Sequence, residues 1–292
     1  LTIFKIAFAG LFFLIYMRYM GASEKAGRIS AFAYAFSGWM AWYLWFNHMT
    51  EITIIFPLML LGVEKVLREK KPWLLMVSTA LMGITNYFFL IGMSIAAFIY
   101  AIFRYFQRIK QNKIKDNLII LGIGFVGFLV GILMSMFAAL PAALTSLEAP
   151  RSLNSSYLDL LKNALDTKNT KLFFSYIFEW KNFYFGQPST FRHAYPLINF
   201  FFPCASCRGT PLMQFGNESY DNVATNIYSY VPMMLIFFPA LVKSLKEKKW
   251  SVLVGIALMV LALEIPFTYY MFFGFTEPYG RWELFFITTF IT

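Results

Sequence analysis

Residues 30–71 read SAFAYAFSGWMAWYLWFNHMTEITIIFPLMLLGVEKVLREKK. Two apolar runs flank a short polar island of Asn47, His48, Thr50 and Glu51, and a basic cluster of Lys65, Arg68, Lys70 and Lys71 follows. This is the pattern of a membrane hairpin over 30–66 that rises to the outer face, turns at the island and descends to the cytosol. Ser37 and Gly38 interrupt the rising limb with small residues, which permit close helix contact in lipid. The second limb, 52–66, is shorter than the ~20 residues of a full span. It is expected to be broken or tilted, or to let the stems of Lys65 and Arg68 snorkel to the interface. The island reads two ways. Helix ends must meet water somewhere, so it is either the wet end of two helices or a site built from an amide, an imidazole and a carboxylate.

Composition sets the class. The chain is 59% hydrophobic and 20% aromatic, with a mean hydropathy of +0.60. Its charged fraction of 14% lies well below the roughly 25% of soluble proteins. A formal charge of +10 invites a nucleic-acid reading, but the charges are placed otherwise. They fall in short clusters between apolar runs, as the positive-inside rule expects, and no GxGxxG, Walker loop or RNA-binding signature accompanies them. Both ends of the sequence lie inside apolar runs, so a fragment of a longer protein is expected, without a signal peptide.

Taken in order, 1–20 is the first span, with Arg18, Lys25 and Arg28 at its far end. The hairpin follows. Residues 73–107 are too long for one span, and Gly83 and Asn86 mark a break near ITNYFF, with Asn86 and Tyr87 towards the outside. Next comes RYFQRIKQNKIKDN, a basic loop beside anionic lipid. Residues 117–140 form a clear span that Pro141 ends. Residues 141–225 carry seven Lys/Arg and six Asp/Glu, a balance that fits an external loop. Within it LDLLKNALDTKNTKLFFSYIFEW has helical apolar spacing, which suggests helices lying on the membrane surface. Residues 226–243 span back, Lys243, Lys246, Lys248 and Lys249 mark the cytosol, 250–270 span out, and 271–281 are external. The expected organisation is one all-α polytopic membrane domain: spans over 1–140, an external loop over 141–225, and spans over 226–292. Alternating the spans, with the break at Asn86, puts four clusters holding sixteen of the 25 Lys/Arg on one side.

The outer face collects the unusual groups. His48 and Glu51 are three residues apart and share a face if the turn is helical. A carboxylate beside an imidazole can deprotonate a hydroxyl, and two solvated caps are the alternative. A resident metal is not expected, since Zn²⁺ normally takes three or four protein ligands and the other histidine, His193, lies in the large loop. Lys5 sits inside the first span, where a lysine is a functional hypothesis by default. Snorkelling to the interface is the other reading. Arg281 opens the last span and offers the fork geometry that binds phosphate, or else anchors the interface beside Tyr279 and Trp282. Asn86, Tyr87 and Asn47 are polar groups able to line a cavity. Trp180, Tyr184 and Phe185 suit membrane anchoring better than sugar stacking. Cys204 and Cys207 form a CxxC placed outside, where a small disulfide is favoured over redox catalysis. Asn154 and Asn217 sit in glycosylation sequons that matter only in a secretory host.

The order SAFAYAFSGWMAWY, NH, FPLMLLGVEKVLREKK and ITNYFF resembles the YfhO family of bacterial membrane proteins, which itself resembles the GT-C class of polytopic glycosyltransferases. LPAALTSLEAPR, NIYSYVPMMLIFFPALVKSLKEKK and YGRWELFF extend the likeness over most of the chain, weakly across 152–222. The CxxC is not part of it. The resemblance implies sugar transfer on the outer face of a bacterial cell membrane. The donor would be a polyprenyl-phosphate monosaccharide and the acceptor an extracellular polymer such as teichoic or lipoteichoic acid, with no cofactor. Lys5 and Arg281 would then stabilise the donor's phosphate, with Glu51 and His48 in a supporting role. Members of the family carry an acidic motif in the first external loop, after their first span, so the resemblance places the principal base upstream of Leu1.

Two rival classes remain at this level. A transporter or lipid flippase would also use a cavity lined by Lys5, Asn86 and Arg281, though transporters usually have short loops and repeated halves and no repeat is visible here. A non-catalytic membrane scaffold is the third.

Overall fold

A chain immersed in hydrocarbon must satisfy its backbone internally, because no water is there to bond it. In the computed structural model, which describes residues 1–44, 49–108, 114–147, 157–179, 231–272, 274–275 and 283–291, every regular element is accordingly a helix. The chain forms two compact units, 1–35 with 43–150, and 36–42 with 151–292. Among the described residues, three helices are long and apolar enough to cross a membrane: Thr2–Met20, Tyr87–Gln107 and Asp116–Thr145.

In the first unit α1 (Thr2–Met20) ends at Gly21, whose φ of 96° only glycine adopts cheaply. α2 (Glu24–Ala35) folds back along it, so that Gly10 faces Ala31 and Ala35 while Gly27 faces Leu14 and Arg18. The rising limb is two helices rather than one. α2 stops at Ala35 and α3 (Gly38–Tyr43), which up to Trp42 belongs to the second unit, starts afresh, with the Ser37 hydroxyl accepting the Met40 N–H at 3.4 Å as an N-cap. α4 (Glu51–Glu69) is longer than the expected 52–66 limb. Its 19 residues span about 28 Å at ~1.5 Å each, close to the ~30 Å of a bilayer core, and no break is needed although Pro57 lies within it.

The next apolar stretch is parted at Asn86. α5 (Trp73–Thr85) ends there in extended backbone, and α6 (Tyr87–Arg108) begins at once. α6 doubles back, because Arg104 near its end meets Glu64, level with the start of α5, where Gly62 touches Leu74 and Leu75. α7 (Ile114–Leu147) then runs parallel to α5: Gly127 meets Pro72, Gly131 meets Met76 and Thr79, and Gly83 meets Ser135. Pro141 does not end this helix, which continues to Leu147. In the turn that follows, the Thr145 hydroxyl donates to the Pro141 and Ala142 carbonyls at 3.1 and 2.9 Å.

The close approaches depend on missing side chains. A Cβ on Gly62 would lie 2.7 Å from the Leu75 backbone, and one on Gly131 would lie 2.7 Å from both the Met76 carbonyl and Thr79. Small residues let helix backbones meet where lipid supplies no hydrophobic drive.

The second unit contains α8 (Tyr157–Asp166), α9 (Thr170–Phe178), α10 (Val231–Lys246), α11 (Trp250–Glu264), α12 (Pro266–Met271) and α13 (Glu283–Ile291). α8 and α9 form a hairpin in which the Asn169 side chain accepts the Leu172 N–H at 3.0 Å. Tyr157 stacks on Tyr270 of α12 with ring centroids 4.1 Å apart, and Phe173, Ile177, Phe267 and Phe275 close around the pair. The expected 250–270 span is two helices. Pro266 forces Ile265 into extended backbone, which ends α11 and opens α12.

Candidate functional site

α1 is apolar around its whole circumference, so its sequence does not say which side faces the protein. The fold decides it. Lys5, Ala9, Phe13 and Tyr16 form the buried stripe, and Ile3, Phe4, Phe8 and Leu11 face outward. Lys5 is therefore the cation of a packed surface. Its side chain is 10% exposed, and its ammonium donates to Glu51 Oε1 at 2.7 Å. Glu51 is the first residue of α4 and is 34% exposed. A carboxylate in the first helical turn is favoured by the helix dipole.

The groups beneath Glu51 hold the turn in place. Thr50 and Thr53 are buried, and the Thr53 hydroxyl donates to the Thr50 carbonyl at 2.6 Å. The Tyr34 hydroxyl donates to the Thr53 carbonyl at 3.0 Å, while its ring stacks on Phe13 at 4.3 Å. The start of α4 is thus fastened to α2 and α1, and the carboxylate is presented to Lys5 by a packed base.

α1 and α4 run parallel. At their far ends Tyr19 donates to Glu69 at 2.8 Å and Arg68 donates to the Tyr19 carbonyl at 3.0 Å. Lys70 at the end of α4 pairs with Asp116 at the start of α7 at 2.9 Å. Arg18 of α1, Lys65 and Arg68 of α4, Lys70 and Lys71 just after it, and Arg104 of α6 consequently gather at one end of the first unit. Lys5, Glu51 and the α5–α6 turn at Asn86 lie at the other. At that turn Asn86 and Tyr87 are half-buried, the Asn86 N–H donates to Met82 and its carbonyl accepts from Leu90. Of the residues singled out in sequence, the fold joins Lys5 directly to Glu51 and places Asn86 and Tyr87 at the same end. Asn47, His48, Cys204, Cys207 and Arg281 lie outside the described residues.

A second ionic cluster was not anticipated. Glu64 is fully buried and accepts from Arg68 Nε at 2.8 Å, Arg104 Nε at 2.5 Å and the Tyr100 hydroxyl at 2.8 Å. Tyr16 of α1 in turn donates to Tyr100 at 2.9 Å. The usable signal was the paired spacing: Glu64 and Arg68 on α4, and Tyr100 and Arg104 on α6, each put two polar groups on one helical face. Arg68 and Arg104 also belong to basic clusters, which masks the pairing in the sequence.

A family model described as bacterial membrane protein YfhO matches residues 1–210, and so contains α1 to α9 and the Lys5–Glu51 pair. The chain belongs to the YfhO family. No curated protein and no solved structure matches it. It is a helical membrane protein of that bacterial family, and the ion pair on α1 and α4 is a feature of its matched region.

Proposed function

We propose that this YfhO family member is a glycosyltransferase that moves a monosaccharide from a polyprenyl-phosphate donor to an extracellular polymer such as teichoic or lipoteichoic acid. The observation that carries the reading is the Lys5–Glu51 pair: a buried cation and a half-exposed carboxylate 2.7 Å apart, at the end of the helix bundle away from the basic clusters. The positive-inside rule assigns the basic end to the cytosol, which leaves the pair on the outer face, where a lipid-linked donor meets a polymer.

The chemistry asks for those two charges. The acceptor hydroxyl forms a bond to the anomeric carbon as the bond from that carbon to the phosphate oxygen breaks. The phosphate leaves with the electron pair and gains negative charge, which Lys5 stabilises; Arg281 is the second residue proposed for that role. The hydroxyl proton passes to a carboxylate, with Glu51 and His48 supporting the principal base. Asn47, Asn86 and Tyr87 contact the sugar or line the cavity, Cys204 and Cys207 pair as a surface disulfide, and no resident metal or cofactor takes part.

The test is transfer of radiolabelled sugar from polyprenyl-phosphate donors in membrane vesicles, with this chain compared to a form extended upstream. Transfer by the extended form alone supports the reading and puts the principal base before Leu1. Transfer by neither, across several sugars and a teichoic acceptor, favours a transporter or lipid flippase.

A further inference from the structure

Lys5 and Glu51 are unequal partners. Lys5 is 10% exposed in the packed stripe of α1, whereas Glu51 is 34% exposed at the tip of α4. An anion arriving from the outer interface therefore finds a cation that cannot leave and a carboxylate that can. If displaced, Glu51 turns into water and stays in the first turn of its helix, where the dipole still favours it. Lys5 would have no such refuge. An ammonium is a compact point charge without a fixed fork, so it donates to a phosphate oxygen in place of a carboxylate oxygen with little rearrangement. Two anions held together on one lysine would repel in a half-buried site.

We propose that Glu51 is an internal competitor for the anion site on Lys5. In the unliganded chain its carboxylate holds the position that a lipid-linked phosphate takes, and the phosphate binds by displacing it. The inference rests on the reading above that Lys5 meets the donor's phosphate, and it gives Glu51 a second role as gatekeeper. The occupant is lipid-linked because Lys5 belongs to a membrane-spanning helix whose outward side carries Ile3, Phe4 and Phe8. An acyl or prenyl chain lies along that surface while its headgroup reaches the lysine.

The experiment measures binding of radiolabelled polyprenyl phosphate to the purified protein in phosphatidylcholine nanodiscs, with inorganic phosphate and phosphatidylglycerol as competitors. Glu51→Gln is expected to tighten binding roughly tenfold, as loss of a partly buried rival charge should. Lys5→Met is expected to abolish binding in both backgrounds. Glu51→Ala and Lys5→Gln serve as second variants, with thermal melting confirming that each is folded. Binding equally tight in wild type and Glu51→Gln overturns the competitor role while leaving the donor reading intact. Tightening that persists in the Lys5→Met background also overturns it, since the effect would then come from the general field and not from the pair. Displacement by inorganic phosphate as effective as by polyprenyl phosphate overturns the lipid-linked assignment. No binding to any form overturns the donor reading itself.

Discussion

Arg104 of α6 lies 2.5 Å from Glu64 of α4, and the Glu64 side chain has no exposure. One carboxylate thereby holds α4 and α6 together, and through Tyr100 and Tyr16 it reaches α1. The expected consequence is asymmetric. Replacing Glu64 with Leu strands two guanidinium groups and should cost about 3–5 kcal/mol, whereas Tyr100→Phe removes the bond to Glu64 and the one accepted from Tyr16 and should cost about 2 kcal/mol. Melting of the detergent-purified variants checks the order. A Glu64→Leu protein as stable as Tyr100→Phe would show that the cluster does not clasp the helices.

The glycine contacts predict a second ranking. Gly131→Leu places a side chain against the Met76 carbonyl and Thr79, both 2.7 Å from its Cβ, whereas Gly122→Leu enters open space. The first should lower membrane abundance and cost at least the ~1–3 kcal/mol of overpacking. The second should be silent. Equal abundance of the two variants would argue against the close α5–α7 crossing.

Tyr157 sets a pH dependence in the second unit. Burial pushes its hydroxyl well above the ordinary tyrosine value of 10.0, and that hydroxyl donates to the Tyr176 carbonyl at 2.9 Å. A group with a raised folded value is neutral in the fold when it has already ionised in the unfolded chain. Stability is therefore full below about pH 10 and falls as pH rises from there. Tyr157→Phe should flatten that alkaline loss while costing about 1 kcal/mol at neutral pH. Near-ultraviolet absorbance during an alkaline titration reads the ionisation directly.

Orientation is expected to follow charge. Cysteines placed at Lys71 and Lys249 in a cysteine-free background should both label from the cytosolic side. Cys204, after reduction, should label from outside. Labelling of all three positions from one side would remove the assigned topology.

Glu51→Gln should reduce sugar transfer by the upstream-extended protein at least tenfold without lowering its abundance in the membrane. A transfer rate matching wild type would take Glu51 out of the reaction, even if it still governs phosphate binding.

Composition and charge spacing are enough to establish the class of molecule and the rhythm of its helices. Apolar runs between basic clusters admit little other than a polytopic helical protein, and SAFAYAFSGWMAWY to ITNYFF carried the family. Polar or rigid residues inside apolar runs also marked interruptions at Ser37 and Asn86, because their effect on backbone is local. The sequence misjudged helix lengths where a local signal was overruled: Pro141 did not stop α7, Pro266 divided a span that hydropathy had joined, and α4 outran its apolar core at both ends. Which residues meet is set by helix packing. α1 is apolar on every side, so nothing in its pattern says that Lys5 faces α4, and Glu51 is 46 positions away. The same holds for Glu64 and Arg104, separated by 40 positions. Periodicity reports the environment of a face, but the partner of a buried charge is chosen by helix packing, because leaving that charge alone in a low-dielectric interior costs more than any local preference can supply.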